Sequence, residues 1–128
     1  MRKPKVFFLH ALGMSSLEWT QVMAFLDPYL DCVAIDFPGF GEHTDMEGHS
    51  LEALAEWTEA QIKAEEAGGW GIVGHSMGGK IASLIAARSQ RGKAGLAGCV
   101  GVVLVAALPP APEPMAEDRR QLMIDWWR

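Results

Sequence analysis

Residues 70–87, WGIVGHSMGGKIASLIAA, constrain this chain more than any other stretch. Trp70, Ile72 and Val73 form a compact apolar run that predicts a strand buried on both faces. Ile81, Leu84 and Ile85 then recur at helical spacing with alanines between them, which predicts a helix packed closely on that strand. Between the two lies Gly74-His75-Ser76-Met77-Gly78, a G-x-S-x-G pattern followed by a further Gly79. The pattern has a steric cause: a serine on a tight strand-to-helix turn brings the residues two before and two after it against backbone, where glycine fits. Such a turn lifts the Ser76 hydroxyl out of the sheet and puts the Met77 amide in the first turn of a helix. There the unpaired N–H groups and the positive end of the helix dipole favour an anion. At ordinary glycine usage the bare pattern arises by chance roughly once in twenty-odd chains of this length. The strand before it and the helix after it make a plain glycine turn the poorer reading.

At 128 residues the chain is one domain at most, and 49% hydrophobic residues suffice to build a core. A net charge of −5 with no basic run argues against nucleic acid as a partner. Arg2, Lys3 and Lys5 ahead of VFFLHALGM imitate a secretory leader. The apolar run is short, however, His10 interrupts it, and no small-x-small cleavage site follows. Residues 96–108 are too few and too rich in glycine to span a bilayer, so no membrane association is expected. Cys32 and Cys99 lack motif spacing and read as small core residues in a reducing, cytoplasmic setting. Four histidines without carboxylate or thiol spacing make no zinc motif, and neither a metal nor an organic cofactor is implied.

In chain order, residues 5–10 (KVFFLH) are the first strand, leading into Ala11-Leu12-Gly13-Met14. Ser15 and Glu18 form a capping box, and Trp19, Val22, Met23 and Leu26 mark the buried stripe of the helix that follows. Residues 32–36 (CVAID) are the second strand, ending in the turn-rich loop Phe37-Pro38-Gly39-Phe40-Gly41. Ser50 caps a helix whose apolar side is Leu51, Leu54, Thr58 and Ile62; Glu52, Glu56, Glu59, Glu65 and Glu66 read as its solvated face. Residues 99–107 (CVGVVLVAA) are a fourth strand, after which a proline-rich stretch leads to an amphipathic helix over 115–127. Alternating strands and helices with short connections predict an α/β fold: a mostly parallel sheet with helices on both faces. Ligands of such sheets bind beyond the carboxyl ends of the strands, where the loops after His10, after Asp36 and at Ser76 all emerge.

These segments resemble the α/β-hydrolase family, in particular its small bacterial esterase-like and thioesterase-like members. Phe8-Leu9-His10-Ala11-Leu12-Gly13 is similar to the family's H-G-x-G segment, with Ala11 standing where glycine is usual. Residues 36–41 (DFPGFG) are similar to its D-x-P-G-x-G loop, and residues 74–79 to its nucleophile elbow. The resemblance implies a serine ester hydrolase with Ser76 as nucleophile and the amides of Leu12 and Met77 as oxyanion hole. Gly74 and Gly78 would be the elbow glycines, with His10, Phe37 and Phe40 near the cleft. His10 is expected to be structural, His75 to point away from the hydroxyl, and Asp36 to pin its own loop. It also implies the strand order second, first, third, fourth, with both outer strands bare and the two cysteines about 14 Å apart.

In this family an acid and then a histidine follow the serine, yet no histidine follows His75. The later acids, Glu113, Glu117, Asp118 and Asp125, fall in the proline stretch and the last helix; His43 and His49 lie upstream and read as solvated. The chain therefore reads as a partial fold. Residues 1–108 would be the amino-terminal half of a hydrolase core, and 109–128 a linker and the start of a cap. The expected partners are a small acyl-ester substrate and either further copies of this chain or a complementing chain, docked through bare sheet edges. The competing reading is a non-catalytic, self-associating half-domain or binding scaffold.

Overall fold

The computed structural model describes residues 3–11, 13–38 and 51–106. Its centre is a parallel sheet of four strands: β1 (Lys5–Leu9), β2 (Asp31–Ile35), β3 (Trp70–His75) and β4 (Cys99–Val105), in the order β2-β1-β3-β4. This is the α/β architecture expected, with the strand order that the family resemblance implied. A 3₁₀ turn (Ser16–Trp19) runs directly into α1 (Thr20–Leu26); α2 (Leu51–Ala64) and α3 (Met77–Gln90) complete the described elements. In register, Leu9 pairs with Ile35 on one side and with Gly74 on the other. The carboxyl ends of the three strands are thus level, and the chain leaves all three at one rim.

Strand alternation sends Phe7, Leu9, Trp70 and Ile72 to the face covered by α2 and α3, where Leu54, Ala55, Ile62, Ile81, Ala82 and Ile85 close over them. Phe7 meets Trp70 edge to face at 5.8 Å, and the Trp70 indole N–H donates to the Ala97 carbonyl at 3.3 Å. Phe8 points to the opposite face and packs on Trp19, with ring centroids 5.2 Å apart. Burying one side chain the size of Phe7 or Phe8 contributes about 2–3 kcal/mol.

Three expectations need correction. No residue of α1 is buried: of the expected stripe Trp19 alone is covered, and Val22 is 41% exposed. With seven residues, α1 packs chiefly on its own 3₁₀ turn at the margin of a narrow sheet. Glu59, assigned to a solvated face, is 2% exposed. It follows Leu51 and Ala55 on the stripe that meets α3, where Arg88 and Lys93 each reach it at 2.9 Å. Arg88 also pairs with Glu52. The Ser15–Glu18 capping box is half formed. The Ser15 hydroxyl accepts from the Leu17 amide at 3.2 Å, but the Glu18 carboxylate is occupied elsewhere.

β4 is open. Val100, Val102, Val103, Leu104 and Val105 are all exposed on a strand whose side chains alternate between both faces of the sheet. Cys32 on β2 and Cys99 on β4 are free thiols, each made harder to ionise mainly by burial. The expected cap of α2 by Ser50 and the segment 109–128 lie outside the described residues.

Candidate active site

Ser76 stands between β3 and α3 with φ 55° and ψ −115°, a sparsely populated positive-φ conformation that costs a serine about 1–3 kcal/mol. It is held there from both sides. Its amide donates to the Val105 carbonyl at 3.1 Å, and its carbonyl accepts from the amides of Gly79 at 2.9 Å and Lys80 at 3.2 Å. Its hydroxyl does not cap the helix that it precedes, and the residue is half-buried. Met77 is the first residue of α3, so its amide has no acceptor within the helix.

The two glycines around the serine are sterically required. A Cβ built on Gly74 would press on the carbonyl of Gly78 and lie 2.6 Å from the Gly79 Cα. A Cβ on Gly78 would press on the Leu9 carbonyl and lie 2.6 Å from that of His10. Real Cβ atoms do not approach backbone so closely, so the turn closes against the end of β1 because both positions lack a side chain.

His10 is fully buried. Its Nε2 accepts from the Phe37 amide at 3.1 Å, which fixes the neutral tautomer with the proton on Nδ1; Nδ1 in turn donates to the Ala11 carbonyl at 2.8 Å. Burial lowers its pKa below the ordinary histidine value. The ring lies on Phe37 at 4.6 Å, and Phe37 is itself fully buried. Both residues therefore sit under the rim as a brace between the loops after β1 and β2, and neither side chain is exposed at a cleft wall.

Asp36 reaches beyond the loop that it begins. Its carboxylate pins the loop after β1: Oδ1 accepts from the Ser16 amide at 2.6 Å and Oδ2 from the Ser16 hydroxyl at 3.1 Å. His75 places Nδ1 2.9 Å from Glu18 Oε1 and meets the Trp19 ring edge on at 6.4 Å. The second Glu18 oxygen accepts from the Ala11 amide at 3.5 Å. This role of Glu18 had no sequence signal, because its spacing from Ser15 already explained it as a cap. Leu12, Phe40, His43, His49 and the acids from Glu113 onward lie outside the described residues. Among the described residues no cluster of His, Cys, Asp and Glu is arranged to hold a metal, and no helix is long and apolar enough to cross a membrane.

The sequence and the fold have counterparts in known proteins. A sequence model described as the alpha/beta hydrolase family matches residues 6–128. The chain belongs to that family. Among curated alpha/beta hydrolase relatives, it is 35% identical over 96 residues to a putative 2-succinyl-6-hydroxy-2,4-cyclohexadiene-1-carboxylate synthase of Haemophilus influenzae, covering 74% of this chain and 38% of that one. It is 31% identical over 83 residues to the pimeloyl-[acyl-carrier protein] methyl ester esterase of Vibrio campbellii, covering 65% of this chain and 31% of that protein. The crystal structure of a membrane phospholipase A, described as a bacterial virulence factor, superposes with a TM-score of 0.77 at 24% identity, over 96% of this chain and 38% of that one. The chain thus spans about a third of the length of these curated relatives.

Proposed function

We propose that this chain carries the nucleophile and oxyanion half of a serine hydrolase acting on carboxylic esters. The observation that carries the reading is the backbone of Ser76: a positive-φ serine at the mouth of α3, wedged between two glycines that admit no Cβ. In that role the Ser76 oxygen attacks the ester carbonyl, a tetrahedral oxyanion forms, and loss of the alcohol leaves an acyl-enzyme that water hydrolyses. The Met77 amide, at the positive end of α3, would stabilise the oxyanion together with the amide of Leu12. Each such donor contributes about 3 kcal/mol to transition-state stabilisation.

Ester chemistry is supported by the esterase among the relatives; the synthase beside it marks how far the family's reactions range. An apolar acyl group suits the half-buried and buried residues around the elbow, such as Met77. The reaction also needs a base for Ser76. Both ring nitrogens of His10 are engaged, Nε2 by the Phe37 amide and Nδ1 by the Ala11 carbonyl, so His10 is not free to serve as that base. Without a base, the oxyanion hole and binding sustain only residual turnover. Hydrolysis of p-nitrophenyl esters of graded acyl length, compared with Ser76→Ala, tests the reading. Slow turnover that vanishes in the variant supports it, whereas equal rates in both proteins sink it.

The exposed apolar β4 favours a second reading, in which copies of this chain pair along that strand and perform no chemistry. A folded oligomer that Val103→Lys converts to monomer, with no Ser76-dependent turnover in either protein, would favour it.

A further inference from the structure

The geometry points to Glu18 as a positioning residue that ties the chain entering the elbow, at His75, to the start of the loop after β1, at Ala11. This rests on the ester-hydrolase reading above, and adds to it a residue outside the three family segments.

Glu18 is in the 3₁₀ turn, which reaches all three loops that leave the rim. Ser16 is bonded to Asp36 at the end of β2, Trp19 packs on Phe8 of β1, and Glu18 divides its carboxylate between two backbone segments. One oxygen takes the side chain of His75, the residue before Ser76; the other takes the amide of Ala11, the residue before Leu12. A single planar group thus spans from the chain entering the elbow to the chain entering the other half of the oxyanion hole. Its side chain is 9% exposed, so little water competes for either contact. The edge of Trp19 against the imidazole narrows the rotation open to His75. A carboxylate suits this place because it accepts at both oxygens, as donors converging from two directions require.

The inference predicts coupling that an ordinary surface carboxylate would not show. Removing either end of the bridge should loosen both segments together, and removing both ends should do no further harm, because the two residues act through one connection. A displacement of the order of an ångström at a reacting centre is enough to slow chemistry by about a hundredfold.

The test uses the full chain and the variants Glu18→Ala, Glu18→Gln, His75→Ala and Glu18→Ala/His75→Ala, with two readouts. Amide hydrogen exchange is followed in peptides covering residues 10–14 and 74–79, with residues 5–9 of β1 as internal reference. In Glu18→Ala and in His75→Ala, exchange is expected to rise in both peptides together while β1 stays protected. A rise confined to the neighbourhood of the substituted residue overturns the bridge, whatever Ser76 does chemically. The second readout is the rate constant for covalent labelling of Ser76 by a fluorophosphonate, at saturating probe and per folded molecule. It should fall about tenfold to a hundredfold in both single variants, no further in the double variant, and less in Glu18→Gln, which keeps one acceptor oxygen. Equal labelling in wild type and Glu18→Ala overturns the positioning role. Wild-type protein that does not label at all overturns the hydrolase reading instead, and the exchange data still decide whether Glu18 ties the two segments.

Discussion

Gly78, in the first turn of α3, lies so close to the main chain of His10 that a Cβ there would be 2.6 Å from the His10 carbonyl oxygen. Gly78→Ala must therefore push α3 away from the end of β1. We expect a loss of about 2–3 kcal/mol, and the same for Gly74→Ala, measured by urea unfolding. Gly68 and Gly101, whose added Cβ atoms would meet nothing within 4 Å, are the controls. Alanine at either should stay within about 0.5 kcal/mol of wild type.

The Asp36 carboxylate is committed to Ser16 through both oxygens, across 20 residues of chain. Asp36→Ala leaves the Ser16 amide without its acceptor and is expected to cost about 2–3 kcal/mol. Ser16→Ala, which loses the hydroxyl bond alone, should cost about 1 kcal/mol. Equal effects of the two substitutions would mean that the amide contact contributes nothing.

Glu59 joins α2 to α3 by accepting from Arg88 and Lys93 while almost wholly buried. Its carboxylate balances two cations that are themselves partly solvated, so Glu59→Ala should cost about 2–3 kcal/mol, below the figure for a fully buried pair. The Glu52–Arg88 contact is on the surface, and Glu52→Ala should cost under about 1 kcal/mol. Thermal unfolding of the two variants side by side separates them.

Burial lowers the pKa of His10, whose neutral ring is the form that accepts from Phe37. The unfolded chain then binds a proton that the folded chain resists, so stability rises with pH across this titration. The contribution is complete above about pH 6.5, the ordinary histidine value, and is lost as pH falls from there through the lower folded value. His10→Gln removes the titration. Its unfolding free energy should therefore fall less steeply than that of wild type between about pH 6.5 and 5, by up to about 1.4 kcal/mol per pH unit. Parallel curves for the two proteins would contradict this account.

The strands and the elbow were legible in the sequence because each leaves a local mark: short apolar runs for buried strands, and glycines where backbone meets backbone; the order of the strands came from the family resemblance alone. Glu18 and Glu59 were misread for a common reason. Each has a sufficient local explanation (a cap, an acidic helical face), while a partner lies 57 or 29 residues away in the chain. Val22 and its neighbours carry a correct amphipathic pattern, but a pattern gives the face that seeks cover and not whether cover is present. The contact between His10 and Phe37, invisible in spacing, shows that the two support the rim from beneath.

The most direct measurement is mass spectrometry of the intact chain after exposure to a fluorophosphonate, followed by peptide mapping. The account predicts slow addition of a single phosphonyl group, located on Ser76 and absent from Ser76→Ala. A folded wild-type protein that stays unmodified while a control esterase reacts, or one modified equally after Ser76→Ala, would contradict it.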